Sequence, residues 1–162
     1  MNHDDFKKVI LARMHTLLKP FGFRKQGNNF SAKQDNTLLF IQLQSSTRTT
    51  RDTLVATVNL GIVSTLLAKK QGFRTSPNIL HSHWQERIGH FLSEPQDKWW
   101  TVQNEADAVA ASDEIVSILQ TRSLPTMYSL ASTQQLRELW ETGRSPGLTD
   151  FQRREYLALL TE

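Results

Sequence analysis

The sequence predicts an α+β domain in which an N-terminal helix packs on a small antiparallel β-meander sheet, followed by about three C-terminal helices. Near both ends of the chain, apolar residues recur at three- and four-residue spacing, as in amphipathic helices. Residues 38–63 contain two runs in which apolar and polar residues alternate, as in strands with one buried face. We expect one domain over residues 1–162, with helix and sheet in 1–103 and a packed helical tail in 104–162.

The first helix is predicted over residues 4–19. Asp4 and Asp5 suit the positive end of its dipole, and Pro20 and Gly22 end it. Its apolar stripe consists of Phe6, Val9, Ile10, Met14, Leu17 and Leu18. This helix is the natural cover for the apolar face of the sheet that follows.

Four strands are predicted next, over residues 22–27, 28–33, 38–45 and 54–63, with a turn at Asp35-Asn36. In the last of these, the residues expected to face the core are Leu54, Ala56, Val58, Leu60 and Ile62. Residues 64–70 fit one or two helical turns, residues 83–92 a further strand and residues 99–102 a short one.

The chain becomes helical after Asn104, which can cap a helix that Pro125 is expected to close. Capping boxes beginning at Ser132 and Thr149 start two more helices. Gly143 suits the end of the first of these.

Composition excludes several classes of protein. The 162 residues include no cysteine, which rules out disulfide scaffolds, thiolate metal sites and a cysteine nucleophile. No apolar run approaches the ~20 residues of a membrane span, and the N-terminus is too polar for a secretion signal. We therefore expect a cytoplasmic protein with no membrane partner.

Charge is uneven along the chain. Residues 1–81 hold 12 Lys and Arg against 4 Asp and Glu, a net +8, whereas residues 82–162 hold 7 against 12, a net −5. Either the two halves dock on each other, or the basic surface steers an acidic partner, which is a nucleic acid or an acidic protein.

A family resemblance spans nearly the whole chain. It rests on the leading helix, the helical tail and five short segments: Gly22 to Phe30, Gln42 to Ser46, Asn59 to Ile62, Arg87 to Gly89, and Trp99-Trp100. In these, the chain resembles a bacterial family of domains of unknown function, number four-three-zero-four. The resemblance implies an α+β fold and a bacterial cytoplasmic setting, but no activity and no catalytic residues. Many small bacterial families of this size are toxin-immunity or defence proteins, which is an argument by association.

The first candidate site is the polar face of the sheet. If the alternation holds, Gln42, Gln44, Thr57 and Asn59 lie together, and Gly61 leaves a gap beside them, or marks a bulge or a close backbone approach. Amides both donate and accept hydrogen bonds, so such a face can bind a peptide, a base edge or a polar small molecule. The alternatives are a solvated face, or an amide network beneath the C-terminal helices.

A second candidate is the histidine-rich segment that contains His81, His83 and His90. With Glu86, these residues could form a nitrogen-and-oxygen metal site, but their spacing matches no strong metal motif. A surface loop that happens to hold histidines is the favoured explanation. We therefore assign no metal.

A third candidate is a basic set interleaved with phenylalanines, which resembles the way sheets hold single-stranded nucleic acid. Its cations are Arg24, Lys25, Lys33, Arg48, Arg51, Lys69, Lys70 and Arg74. Scattered charge that keeps the protein soluble is the alternative.

A fourth candidate is the pair Trp99-Trp100, in which one ring is expected in the core and the other as an exposed anchor.

No dinucleotide, phosphate-loop or nucleophile-elbow motif is present, so we assign no cofactor and no catalytic residue. The sequence favours a non-enzymatic protein-binding module of the immunity or adaptor type. A nucleic-acid-binding module is the first alternative, and an enzyme of unrecognised class is the second. The residues expected to bind the partner are Arg24, Gln42, Gln44, Asn59, Arg87 and Trp100.

Overall fold

Helix α1, His3–Leu18, begins with a complete capping box. The computed structural model describes residues 1–161. In it, the Asn2 side chain accepts a hydrogen bond from Asp5 N, and the Asp5 carboxylate accepts one from Asn2 N. The buried side of α1 faces the sheet and α3, and its fully covered residues include Phe6, Ile10, Met14 and Leu18.

The sheet has six antiparallel strands. They are β1 (Arg24–Gln26), β2 (Asn29–Gln34), β3 (Thr37–Ser45), β4 (Leu54–Ser64), β5 (Trp84–Arg87) and β6 (Trp100–Val102). Five of them follow the order β1-β2-β3-β4-β5, and β6 pairs with the other half of β4. The eleven residues of β4 are long enough to pair with β3 on one side and with both β5 and β6 on the other.

The helices that follow are α2 (Thr65–Lys70), α3 (Glu105–Ile118), α4 (Leu124–Ser129), α5 (Thr133–Thr142) and α6 (Asp150–Thr161). The expectation that Pro125 closes the helix after Asn104 is wrong. A π-helical turn, Leu119–Ser123, follows α3, and Pro125 stands in the first turn of α4. Proline is tolerated there because that position needs no N–H donor.

Burial divides the sheet into two unlike faces. The alternating residues Leu54, Ala56, Val58, Leu60 and Ile62 are all buried, as the sequence predicts, on the face that α1 covers. The opposite face carries polar side chains along its middle. The predicted α+β fold, with a leading helix, an antiparallel sheet and C-terminal helices, is therefore confirmed.

None of the helices within residues 1–161 combines the length and the apolar character that crossing a membrane requires.

Candidate functional site

Five polar side chains form one row across five strands on the face opposite α1. Strand register pairs Gln26 with Asn29, Asn29 with Gln42, Gln42 with Asn59, and Asn59 with Arg87. Residues in register on neighbouring strands point to the same face of a sheet. We call these five residues the polar row.

Hydrogen bonds link most of the polar row into a chain. Arg87 Nε donates to Asn59 Oδ1 at 3.3 Å. Asn59 Nδ2 donates to Gln42 Oε1 at 3.1 Å and to Gln44 Oε1 at 2.7 Å. Gln42 Nε2 donates to Asn29 Oδ1 at 3.1 Å. The amides therefore hold one another in place, and Asn59 is the branch point of the network.

At the β5 end, Arg87 is fixed by a carboxylate and a ring. Its Nη1 atom donates to both Asp97 oxygens, at 3.0 and 2.9 Å. Trp99 Nε1 donates to Asp97 Oδ2, and the Arg87 guanidinium lies 5.1 Å from the centre of the Trp99 ring. The hydrogen bonds from Arg87 and then from Trp99 hold the pKa of Asp97 below its usual value.

The polar row lies along the floor of an open groove. Two adjoining cavities of about 850 and 660 Å³ share the residues Gln42, Ile79 and Leu80. The first cavity extends to Arg24 at β1. The second extends beyond β5 to the loop at Pro146. We call this continuous depression the amide groove.

One end of this sheet face is covered by the segment that leads from α2 to β5. Phe40, Val63 and Ala68 form a small apolar cluster there, against which Phe73 and Ile79 pack. The cover stops at Leu80, whose side chain is 84% exposed on the rim of the groove. The polar row therefore stays uncovered beside a closed apolar end.

The sequence leaves open whether Gly61 borders a gap or a close approach, and the structure shows the close approach. A β-carbon at Gly61 would lie 2.1 Å from Ser82 Oγ and 3.2 Å from Ile79 Cγ1. Ser82 is held there because its hydroxyl donates to Ile79 O at 2.7 Å. The segment that carries Ile79 fills the space beside the amides.

Gly61→Ala is expected to lower the free energy of unfolding by about 1 kcal/mol, because the added methyl meets Ser82 and overpacks the contact. Ser82→Gly removes the two nearest atoms, Ser82 Oγ at 2.1 Å and Ser82 Cβ at 3.0 Å, and should recover most of that loss. Urea denaturation of the two single variants and the double variant measures this coupling. Strictly additive losses would show that the Ser82 contact is not the cause.

The structure brings five of the six expected binding residues together. Gln42, Gln44, Asn59 and Arg87 line one cavity of the amide groove, and Arg24 lines the other together with Gln42. Thr57 lies in register with Gln44 but is fully buried, and its hydroxyl donates to Lys98 O at 2.7 Å. The segment before β6 therefore covers Thr57, which is not accessible as part of the predicted amide face.

The choice of Trp100 as the exposed ring needs correction, because the structure buries that ring in the core. Trp100 pairs in register with Ala56 on the core face of β4, and it is 6% exposed. Trp99 lies on the other side of the strand and contacts Arg87 at the groove. The register of β6 on β4 decides between the two rings.

The three candidate histidines have separate structural roles. His81 lies in a 3₁₀ turn rather than on a strand, and its Nδ1 accepts a hydrogen bond from Asn78 N. His90 contacts Glu86, with 3.1 Å between Nδ1 and Oε1. Burial raises the pKa of Glu86. Within residues 1–161, no three His, Cys, Asp or Glu side chains are grouped so that they could hold a metal ion.

His83 is buried between the sheet and the C-terminal helices. Its Nδ1 accepts a hydrogen bond from Ser64 N at 3.0 Å, which places the proton of the neutral ring on Nε2, where it donates to Gln71 Oε1 at 2.8 Å. The ring packs edge-on against Trp140 and Tyr156. Burial, assisted by the charge of His81, lowers the pKa of His83 from 6.5 to about 4.

Sequence reasoning missed three residues of the site, Gln26, Asn29 and Asp97, and considered Trp99 only as one of two candidate rings. A signal for two of them was available. Two-residue turns at residues 27–28 and 35–36 fix the register of β1, β2 and β3, which places Gln26 and Asn29 beside Gln42. Asp97 and Trp99 arrive from an irregular segment, for which no periodic signal exists.

The model of one protein family matches residues 14–129, and the family is described as a domain of unknown function, DUF4304. The matched residues contain all six strands, and therefore the whole polar row. This match confirms the resemblance noted from the sequence. No curated protein and no solved structure matches the chain.

Proposed function

The chain belongs to the DUF4304 family, a domain of unknown function, and we propose that it is a protein-binding module of the immunity or adaptor type. The amide groove is its binding surface, and no catalytic step is assigned to it. The partner is a protein that inserts an extended segment into the groove.

The single observation that carries this proposal is the uncovered polar row. Amide side chains match a polypeptide backbone well, because both present N–H donors and carbonyl acceptors. A merely solvated sheet face needs no amide on four successive strands. Here Gln26, Asn29, Gln42 and Asn59 occupy those four positions, and three of them are already ordered by mutual hydrogen bonds.

The shape of the groove supports a segment rather than a small molecule. A small-molecule site typically encloses 70–90% or more of its ligand in one concave, largely apolar pocket. The amide groove is open along its length and consists of two adjoining depressions of about 850 and 660 Å³. An extended chain can occupy both depressions at once.

Charge within the groove favours a protein over a nucleic acid. Affinity for nucleic acid comes largely from cations that contact successive phosphates. In the amide groove, Asp97 neutralises Arg87, and the carboxyl group of Glu86 lines the same end. A phosphate backbone that followed the polar row would therefore meet acidic groups beyond Asn59.

Asn59→Ala is expected to weaken binding of the partner at least about tenfold, since it removes the branch point that orders Gln42, Gln44 and Arg87. Asn59 and its partners are half-buried, so water can replace part of the lost hydrogen bonding, and the free energy of unfolding should fall by about 1 kcal/mol without loss of the fold. Gln120→Ala is the matched control, because Gln120 is an exposed amide in the π-helical turn, outside the groove.

The measurement is capture from a native lysate on immobilised wild-type protein and on the two variants, with and without nuclease, followed by mass spectrometry. One stoichiometric protein should stay on the wild type and on Gln120→Ala, and be lost from Asn59→Ala. Equal retention by all three proteins contradicts the proposal. Bound material that nuclease releases would favour the nucleic-acid alternative.

A further inference from the structure

Arg87 fixes the direction of every hydrogen bond in the polar row. A guanidinium can donate hydrogen bonds but cannot accept them. The atom that faces Arg87 Nε must therefore be Asn59 Oδ1, which turns Asn59 Nδ2 toward Gln42 and Gln44. Those two amides must then present their oxygens to Asn59, and Gln42 Nε2 is left to donate to Asn29.

This direction leaves donors facing the groove. Carbonyl oxygens of Asn29, Gln42, Gln44 and Asn59 each accept a hydrogen bond from within the network. Within residues 1–161, the side-chain nitrogens Asn29 Nδ2 and Gln44 Nε2 donate no hydrogen bond, and Gln42 Nε2 uses one of its two N–H groups. The groove therefore presents to a ligand five side-chain N–H groups that are unpaired among the described residues, two each on Asn29 and Gln44 and one on Gln42.

Unpaired cations on β1 and β2 add to these donors. Arg24 and Lys33 both line the groove and are exposed, and neither forms an ion pair with any described residue. The β5 end is different, because Asp97 and Glu86 lie there. The groove is thus cationic at one end, lined with donors in the middle and acidic at the other end.

We propose that the amide groove binds an extended acidic segment of the partner protein, with its carboxylates toward β1. This inference rests on the proposed function and names the chemistry of the segment. Strands lie about 4.8 Å apart, so the four steps from β1 to β5 span about 19 Å, which is about six extended residues. Carboxylates and backbone carbonyls, both acceptors, match the donors on the groove floor.

Arg87 is a positioning residue in this proposal. It affects ligand binding only indirectly, because its hydrogen bond to Asn59 holds the amides with their N–H groups toward the groove. Without it, the amides can turn over and present oxygens, and the preference for carboxylates over neutral amides should fall. A merely structural role would weaken all ligands alike and leave that preference unchanged.

The experiment titrates the ¹⁵N-labelled full-length protein with capped hexaglutamate, hexaglutamine and hexalysine, and follows the side-chain NH₂ signals by NMR. Hexaglutamate should shift the signals of Asn29, Gln42 and Gln44, and bind at least about fivefold tighter than hexaglutamine. Arg24→Ala and Lys33→Ala should each weaken hexaglutamate up to about fivefold. Arg87→Met should lower the ratio of hexaglutamate affinity to hexaglutamine affinity, while Arg24 and Lys33 keep that ratio above one.

Equal shifts with hexaglutamate and hexalysine, or shifts that avoid the groove amides, would overturn the acidic-segment proposal. A six-nucleotide oligothymidine that shifts the same amides more strongly than hexaglutamate would overturn it in favour of nucleic acid. The two proposals fail separately. If hexaglutamate does not bind but Asn59→Ala still loses the captured protein, only the acidic character of the segment is wrong.

Discussion

Acidification from pH 6.5 to pH 4 is expected to destabilise the fold by on the order of 3 kcal/mol through His83 alone. The pKa of His83 is about 4 in the folded protein and 6.5 when the ring is solvated, so the unfolded chain binds the extra proton between these values. The contribution of His83 is therefore fully present above pH 6.5, and it is lost as the pH falls toward 4.

The contacts of His83 explain this sign. A second proton on the ring would sit on Nδ1. There it would face the Ser64 N–H group, which now donates a hydrogen bond to Nδ1. The charged ring would also be enclosed by Trp140 and Tyr156, away from water.

Urea denaturation at several pH values, on wild type and on His83→Asn, isolates this effect. The asparagine oxygen can accept from Ser64 N but does not titrate, so the stability of His83→Asn should depend less steeply on pH between 4 and 6.5. Gln120→Ala is the control, because Gln120 is exposed and carries no titrating group, and its curve should keep the wild-type slope. Parallel curves for wild type and His83→Asn would contradict the assignment.

Gly89→Ala is expected to lower the free energy of unfolding by about 2–3 kcal/mol, as overpacking against rigid atoms does. Its β-carbon would lie 2.0 Å from Gln96 O and 2.7 Å from Lys98 N, both backbone atoms. The Gln96 N–H also donates to Gly89 O at 3.2 Å, so this close approach is held by a hydrogen bond. The segment that must move carries Asp97, which fixes Arg87.

Because Gly89 packs against the segment that carries Asp97, Gly89→Ala should change both the stability of the fold and the binding of the partner. Chemical denaturation should show the loss of stability, and capture of the partner should weaken as well, because the β5 end of the groove shifts. Gly27→Ala is the control. Gly27 has a positive φ of 61° but no atom near the added methyl, so its cost should be about 1 kcal/mol from the backbone alone. A Gly89→Ala variant no less stable than Gly27→Ala would contradict the clash.

Local signals in the sequence predicted most of the fold. The capping residues Asn104, Ser132 and Thr149 each accept the expected backbone hydrogen bond, because caps depend on neighbours within the same turn. Alternation in β3 and β4 also separated the core face from the polar face correctly, since a strand has a fixed period of two.

The remaining features depend on contacts between segments far apart in the chain. Trp99 and Trp100 look alike until β6 pairs with β4, and only that register sends Trp100 to the core. His83 suggests a ligand until Trp140 and Tyr156 pack against it from the C-terminal helices. In both cases, the residues that determine where the side chain lies belong to a different helix or strand, far away in the sequence.

Site-specific photo-crosslinking tests the assignment of the binding surface most directly. A photoreactive phenylalanine analogue replaces Leu80, which is 84% exposed on the groove rim, or Val109, which is 41% exposed on α3, outside the groove. If the amide groove binds a partner protein, irradiation in cells should give one discrete protein adduct from position 80 and none from position 109. An adduct from position 109 alone, or adducts from neither position, would contradict binding at the groove.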